Sequence, residues 1–317
     1  MNILLVGAGE LGSRYLQGLV ACKYSLEVTV VDCSHEALLA AKLRWIQAGG
    51  EDSKHSIRWL QSVPADLKRA DVALIATSAK GRARLVNEIV KATDVRYWVL
   101  EKVLAQSSEE LEEIQSALNK CEGAWVNTSM RMMQWHRSLK AAFASSTIDE
   151  VVYLGGLWGL ACNAVHYLDL VSWWTGEGLN SIDVSGLDQN WHQSKREGYL
   201  EITGELKAHF RGGTSVRLSS IVGVHPQPFK VVLSNGVVWE VDEIAGTALS
   251  STGERIDGCL EFQSQMSGRL MESIIQRGDC LLPRLDESIP IHAIFLDALV
   301  RHWNRTNNDC ADRVPIT

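Results

Sequence analysis

The 317-residue sequence predicts an α/β fold, in which an N-terminal doubly wound parallel sheet is followed by an α+β domain with a largely antiparallel open sheet. Two observations lead to this prediction. Over about the first 125 residues, short and nearly continuous apolar runs alternate with helical patterns, which is typical of parallel strands covered on both faces. From about residue 127 onward, strands joined by turn signals become more frequent, which indicates antiparallel pairing.

Each element of the first domain is assigned from its local pattern. The predicted strands lie at residues 3–6, 27–31, 57–60, 71–76, 97–101 and 124–127. The predicted helices lie at residues 10–21, 34–48 and 81–92, with a fourth beginning near Ser107, which has the spacing of a capping box with Glu110. We therefore place the first domain at residues 1–126 and the second at residues 127–317, with a C-terminal helix that can pack back on the first domain.

The second domain is predicted to contain one long helix and several hairpins. The helix lies at about 162–175, and single strands are expected at 150–154 and 181–187. Asn235-Gly236 joins two β-rich runs and suits the positive-φ positions of a type I′ turn. A second hairpin is predicted around residues 211–213, and helical patterns return at 261–276 and 288–304.

The composition excludes several classes of protein. Hydrophobic residues make up 46% and charged residues 22%, which is typical of a globular protein. The net charge of −7 argues against nucleic acid or an anionic membrane as the main partner, and no apolar stretch is long enough to span a bilayer. The seven cysteines are scattered and contain no C-x-x-C pair, so we predict a protein of the reducing cytoplasm. The histidines show no metal-ligand spacing, so we predict no metal.

A glycine-rich loop follows the first predicted strand and opens a helix. Its glycines are Gly7, Gly9 and Gly12, with Glu10 and Leu11 between the last two. In a Rossmann domain such a loop makes a tight turn, lets the pyrophosphate of a dinucleotide approach the backbone, and packs the helix closely on the sheet. We therefore predict that the backbone of this loop, residues 7–12, binds a dinucleotide.

Asp32 supports this prediction and selects the dinucleotide. It ends the second predicted strand at the position where a carboxylate accepts hydrogen bonds from the adenosine ribose and repels a 2′-phosphate. Cys33 comes next, and no arginine follows immediately. The sequence therefore favours NAD over NADP, and Asp32 and Cys33 are predicted to contact the cofactor.

These features, together with several downstream motifs, resemble the glucose–fructose oxidoreductase/inositol dehydrogenase (Gfo/Idh/MocA) family over nearly the whole chain. The motifs that carry the resemblance are the glycine loop, Asp32, Ala76-Thr77-Ser78, Glu101-Lys102, Gly155-Gly156, His166-Tyr167-Leu168-Asp169-Leu170 and Trp173-Trp174-Thr175-Gly176. The resemblance implies a two-domain NAD(P)-dependent oxidoreductase that acts on a hydroxyl/ketone pair of a sugar, nucleotide sugar or cyclitol.

The resemblance also implies roles for individual residues. Lys102 and His166 are the expected catalytic pair; they come from different domains and are predicted to converge on one substrate hydroxyl. The further expected cofactor contacts are Thr77, Ser78, Arg82, Glu101 and Lys102, and the expected substrate contacts are Arg131, Asn163 and His166. Plainer interpretations remain open: Lys102 as an exposed strand-end lysine, His166 as a core histidine, Arg82 as a solvated helix residue and Arg131 as half of a salt bridge.

Two departures from the family pattern keep other functions open. Val103 stands where the family has proline after Glu-Lys, and Cys162 stands where the family often has an aspartate, four residues before the histidine. The alternatives are a non-catalytic NAD-binding sensor or assembly protein and an imine or amino-acid dehydrogenase.

We also predict a homodimer or homotetramer formed through the C-terminal sheet. In the family this sheet often serves as the oligomer interface. The strands flanking Asn235-Gly236 alternate apolar residues, and Val232 and Val238 would make the opposite face apolar as well.

Overall fold

The computed structural model describes all of residues 1–317, and the chain divides into two compact units. Unit one consists of Met1–Ala105, Glu109–Asn127 and Glu261–Asp286, and unit two of Gln106–Ser108, Thr128–Leu260 and Glu287–Thr317. The second segment of unit one ends at Asn127, one residue after the predicted domain boundary at residue 126. Residues 261–286, which we expected in the second domain, lie in unit one.

Unit one contains a six-stranded sheet in which every neighbouring pair of strands is parallel. Its strands are β1 (Asn2–Val6), β2 (Glu27–Val31), β3 (Ser56–Leu60), β4 (Arg69–Ile75), β5 (Asp94–Leu100) and β6 (Gly123–Val126). Their order, β3-β2-β1-β4-β5-β6, is that of a Rossmann dinucleotide-binding sheet, in which ligands bind at the carboxyl ends of the strands. The predicted doubly wound sheet is confirmed.

Helices connect the strands of this sheet as the sequence predicts. They are α1 (Glu10–Leu19), α2 (His35–Gln47), α3 (Arg82–Ala92) and α4 (Ser108–Ala117), with a short 3-10 helix at Gly50–Asp52. Ser34 caps α2, because its side chain accepts a hydrogen bond from the N–H of Ala37. The carboxyl ends of β1 and β2 are thereby followed directly by helix N-termini.

Unit two contains an eight-stranded sheet of mixed direction. Its strands are β7 (Ile148–Gly155), β8 (Leu179–Leu187), β11 (Gly204–Phe210), β12 (Ser215–Ser220), β13 (Phe229–Leu233), β14 (Val238–Asp242), β15 (Thr247–Ser250) and β16 (Arg255–Asp257), and a separate pair is formed by β9 (His192–Gln193) and β10 (Leu200–Glu201). Only β7 and β12 pair in parallel. The hairpin at Asn235-Gly236 is confirmed, with Val232 opposite Val238 and Gly236 at φ +84°.

Four further helices complete the chain. They are α5 (Gln134–Phe143), α6 (Leu160–Thr175), α7 (Gln263–Arg277) and α8 (Leu285–Asn307), with a 3-10 helix at Ser129–Met132. Helix α7 belongs to unit one, where it packs on α1 so closely that a Cβ at Gly18 would lie 2.6 Å from the carbonyl oxygen of Ser264. None of the helices combines the length and the apolar character that a membrane crossing requires.

The two faces of the unit-two sheet differ more than the sequence predicts. Apolar residues such as Val231, Trp239 and Val241 are buried on one face. Val232 and Val238 are only half-buried on the other face. Charged side chains share this face of the sheet, with ion pairs Lys230–Glu240, Arg217–Glu150 and Lys207–Glu205. The outer face therefore carries charged side chains among its valines and is less apolar than the sequence predicts.

Candidate active site

The glycine loop in unit one needs glycine at two of its three positions for steric reasons. Gly7 has φ +94°, and a Cβ there would lie 2.8 Å from the backbone carbon of Ala76. A Cβ at Gly12 would lie 1.8 Å from the carbonyl oxygen of Gly7. These contacts let the turn after β1 and the first turn of α1 pack tightly.

Gly9 differs, because a Cβ built there would meet nothing within 4 Å. Gly9 is the N-cap of α1, and no side chain caps this helix. The bare N-terminus offers backbone N–H groups and the positive end of the helix dipole, which suit a pyrophosphate. The loop therefore fits a dinucleotide.

Asp32 lies against this loop at the end of β2. Its carboxylate accepts a hydrogen bond from the N–H of Ala8 at 2.6 Å and another from the N–H of Ser34 at 2.8 Å. Each carboxylate oxygen can accept a further bond, so ribose hydroxyls can bind without displacing these contacts. Cys33 is exposed beside it. The predicted ribose-binding carboxylate of Asp32 is thus in direct contact with the glycine loop, through the N–H of Ala8.

The segment after β4 also reaches the glycine loop. The backbone of Ala76 and Thr77 lies within 3.0 Å of where a Cβ of Gly7 would be. Thr77 Oγ1 is buried and has no hydrogen-bond partner. Ser78 follows directly and is half-buried. The structure thus brings Thr77 beside the loop, as expected for a residue lining the dinucleotide.

Arg82 takes a different place from the one predicted, because its side chain is only 1% exposed. Its Nη1 donates to the carbonyl oxygens of Glu101 at 2.6 Å and Leu104 at 2.9 Å, and also to that of Val103. Its Nη2 donates to the carbonyl oxygen of Thr77. The guanidinium therefore holds the backbone on both sides of Lys102 and is not presented to a cofactor.

Glu101 is likewise an interior residue of unit one. Its Oε1 accepts hydrogen bonds from the hydroxyl of Tyr15 at 2.7 Å and from Nδ2 of Asn127 at 2.6 Å. Burial raises the pKa of the Glu101 carboxyl, while these hydrogen bonds and the charges of Lys102 and Arg82 act in the opposite direction. The hydrogen bonds of Glu101 thus tie the end of β5 to Tyr15 and Asn127. This role differs from the predicted contact with cofactor.

Lys102 follows at the carboxyl edge of the sheet and is half-buried between these supports. The peptide bond between Lys102 and Val103 is cis, although proline is absent. Val103 itself is fully buried. The sequence left the backbone geometry at this point open, because Val103 stands where the family has proline.

In unit two, α6 presents three polar residues on one face. Cys162, Asn163 and His166 are half-buried, whereas Ala161 and Val165 are fully buried. Residues three and four apart lie on one side of a helix, so His166 shares its face with the other two. Nδ2 of Asn163 donates to the carbonyl oxygen of Trp158 at 2.9 Å, which fixes the orientation of its amide.

Arg131 in unit two forms the salt bridge that the sequence left open as an alternative to substrate binding. Its Nε and Nη2 donate to the two carboxylate oxygens of Asp169 at 2.8 and 2.6 Å, and its Nη1 donates to Glu287 at 2.9 Å. Burial raises the pKa of Asp169, and Arg131 opposes this shift. All three outward groups of the guanidinium are therefore used inside the unit.

Sequence reasoning missed one residue of this region, Glu201. Its carboxylate accepts the N–H of Ala161 at 2.8 Å and of Cys162 at 3.1 Å, and so caps α6 from the short strand β10. The residue is 6% exposed. No local signal could have found it, because it lies about 40 residues along the chain from the helix that it caps.

Comparison with solved structures agrees with the observed architecture. UDP-N-acetylglucosamine 3-dehydrogenase GnnA from Acidithiobacillus ferrooxidans matches with a TM-score of 0.71 at 14% identity, over 96% of this chain and 99% of that one. Scyllo-inositol dehydrogenase from Lactobacillus casei, solved with bound NAD(H) and scyllo-inositol, matches with a TM-score of 0.68 at 14% identity over 98% of both chains.

A third match is myo-inositol 2-dehydrogenase from Lactobacillus plantarum, with a TM-score of 0.68 at 16% identity, over 96% of this chain and 97% of that one. No protein-family model matches the sequence, and no curated protein does. Structural likeness at this identity defines the fold. The two units have the folds seen in these dehydrogenases.

Proposed function

We propose that this protein is an NAD-dependent oxidoreductase that transfers a hydride between nicotinamide and a hydroxyl/ketone carbon of a sugar-like substrate. The observation that carries the proposal is in unit one. There the bare α1 N-terminus, the Asp32 carboxylate and the braced Lys102 all follow carboxyl ends of strands in one parallel sheet. Three neighbouring structures of the same fold are sugar or cyclitol dehydrogenases.

The cofactor would be held by the glycine loop and Asp32. The nicotinamide, when bound, supplies or accepts the hydride. Asp32 would accept hydrogen bonds from ribose hydroxyls and would repel a 2′-phosphate at the same point, which favours NAD over NADP. Thr77 and Ser78 would line the dinucleotide beyond the loop.

Lys102 is proposed as the acid/base that removes the proton of the substrate hydroxyl during oxidation and returns it during reduction. The hydrogen bonds that Arg82 donates to the Glu101 and Leu104 carbonyl oxygens fix the backbone that carries it. His166 is proposed to polarise and orient the same hydroxyl, with Asn163 contacting a neighbouring one. When catalytic groups are positioned before the reaction, less translational and rotational entropy is lost on reaching the transition state.

The experiment for the proposal measures cofactor binding first and turnover second. Wild-type protein is titrated with NADH and NADPH, and we expect NADH to bind at least about tenfold more tightly because Asp32 opposes the extra phosphate. Replacing Asp32→Ser together with Cys33→Arg should reverse this preference. Tighter binding of NADPH by the wild type would show that the role given to Asp32 is wrong.

The absorbance of reduced nicotinamide is then followed with a panel of sugars, nucleotide sugars, cyclitols and amino acids. Turnover of a polyol supports the proposal, and turnover of an amino acid alone would favour the imine or amino-acid dehydrogenase. Tight NADH binding without turnover of any compound would favour the non-catalytic NAD-binding protein, which the presence of Cys162 keeps open.

A further inference from the structure

Helix α6 in unit two begins without a side chain from its own N-terminal turn to cap it. Its N-cap is Gly159, which has φ +79°. The free N–H groups at an uncapped helix N-terminus would form an anion-binding site. Glu201 fills it, because its Oε2 and Oε1 accept the N–H groups of Ala161 and Cys162 at 2.8 and 3.1 Å. A buried carboxylate thus stands where a phosphate would otherwise bind.

This carboxylate lies next to the polar face of α6. A Cβ built on Gly159 would be 3.1 Å from both Glu201 Oε1 and Asn163 Nδ2, so the two side chains meet at one backbone position. Cys162, whose N–H binds Glu201, belongs to the same half-buried face, and His166 follows one turn later. A molecule on this face therefore meets a negative charge at the helix start.

The guanidinium of Arg131 is the second group in unit two that could bind an anion, and it too is paired with carboxylates. Arg131 is bound by both oxygens of Asp169, which follows His166 by three residues on α6, and by Glu287. Two carboxylates therefore offset the positive charge of one guanidinium. Both features that commonly bind phosphate or carboxylate are therefore occupied from within unit two.

We infer that the polar face of α6 (Cys162, Asn163 and His166) selects an uncharged polyol at the reacting part of the substrate, with Glu201 as the specificity-determining residue. A phosphate or carboxylate on the reacting ring would face the Glu201 carboxylate at close range. The inference rests on the proposed function, because it takes α6 as the substrate-facing helix. It narrows that function to neutral sugars and cyclitols at the reacting ring.

Cys162 allows a direct test, because it lies on this face and its N–H touches Glu201. Iodoacetamide and iodoacetate alkylate a thiolate in the same way, with release of iodide, and differ mainly in charge. The rate of each reaction at each cysteine is measured by peptide mass spectrometry. The exposed residues Cys33, Cys259 and Cys310 serve as references within the same protein.

The predicted result is a strong preference for the neutral reagent at Cys162 in the wild type. The iodoacetamide/iodoacetate rate ratio there should fall by about tenfold in Glu201→Gln, since one close charge is removed while one of the two acceptor oxygens stays. The reference cysteines should keep their ratios. A matched variant, Glu205→Gln, removes an acidic side chain from the outer face of the sheet and should change nothing at Cys162.

An unchanged ratio at Cys162 in a folded Glu201→Gln protein would overturn the inference. The wild type alone is also decisive, because a ratio no higher than that of N-acetylcysteine would overturn it even if the variant failed to fold. Neither result needs a substrate, so the proposed function is tested separately. Faster NAD-linked oxidation of a cyclitol phosphate than of the parent cyclitol would refute the inference and leave the proposed function intact.

Discussion

Glu243 and His136 form a buried titratable pair in unit two. Nε2 of His136 lies 3.7 Å from Oε1 of Glu243, and neither ring nitrogen has a hydrogen-bond partner. Oε2 of Glu243 accepts a hydrogen bond from the hydroxyl of Tyr167 at 3.1 Å. Burial raises the pKa of Glu243 to about 7 and lowers that of His136 to about 4. At neutral pH the site thus favours an uncharged histidine and a carboxyl that readily takes up a proton.

This pair predicts a pH-dependent effect of Glu243→Gln on stability. Because the folded-state pKa of Glu243 is raised above 4.5, its stabilising contribution is complete below that value and is lost as the pH rises through about 7. Glutamine mimics the protonated form, so the variant should gain stability relative to the wild type across this window. The gain should reach on the order of 1–3 kcal/mol above pH 7 and be near zero at low pH.

Urea unfolding at about pH 5 and pH 8 checks this expectation. Glu240→Gln on the preceding strand, β14, is the matched control, because Glu240 is exposed and pairs with Lys230. Its effect should stay within about 0.5 kcal/mol at both pH values. An equal effect of Glu243→Gln at the two pH values would show that the carboxyl does not titrate in this range.

At the scale of elements, the glycine loop predicts two opposite outcomes for similar substitutions. Gly9→Ala adds a Cβ that meets no protein atom within 4 Å, so the free energy of unfolding should change by less than about 1 kcal/mol. The same methyl group would stand where the pyrophosphate approaches the backbone, so NADH affinity should fall by at least about tenfold.

Gly12→Ala is the counterpart, because its Cβ would lie 1.8 Å from the carbonyl oxygen of Gly7. This variant should lose stability by several kcal/mol, on the order expected for overpacking against backbone. Thermal unfolding and NADH titration of both variants separate the two effects. Normal NADH binding by a stable Gly9→Ala protein would contradict a dinucleotide site at this loop.

The elements that the sequence predicts well are those whose signals are local. The strand–glycine–helix start and the Asn235-Gly236 hairpin depend on neighbouring residues, and both are present as expected. Helix α5 and the short edge strand β16 went unpredicted, and β15 beside it was expected only as part of a general strand-rich region. Arg82 shows the same difference at the site. Its position on a helix can be predicted from the sequence, but three of its four carbonyl acceptors are distant along the chain, and all four become apparent only in the fold.

At the scale of the whole molecule, the predicted homodimer or homotetramer remains a proposal. The outer face of the unit-two sheet carries the valine pair Val232 and Val238 among ion pairs such as Lys230–Glu240. Such a mixed surface is typical of interfaces that combine apolar contacts with polar ones. We expect sedimentation at micromolar concentration to show a dimer or tetramer, and Val232→Glu, which places a charge in the valine pair, to shift it towards the monomer. A wild-type monomer under these conditions would refute the proposal.

The central claim is that the protein catalyses a hydride-transfer reaction in which Lys102 moves the proton. The most direct test is the turnover of Lys102→Met with the best polyol of the panel, measured together with the affinity for NADH. We predict that kcat falls by about 10²–10⁴, the usual contribution of a positioned acid/base, while NADH affinity changes by less than about threefold because the glycine loop is untouched. Turnover at the wild-type rate by this variant would contradict the account.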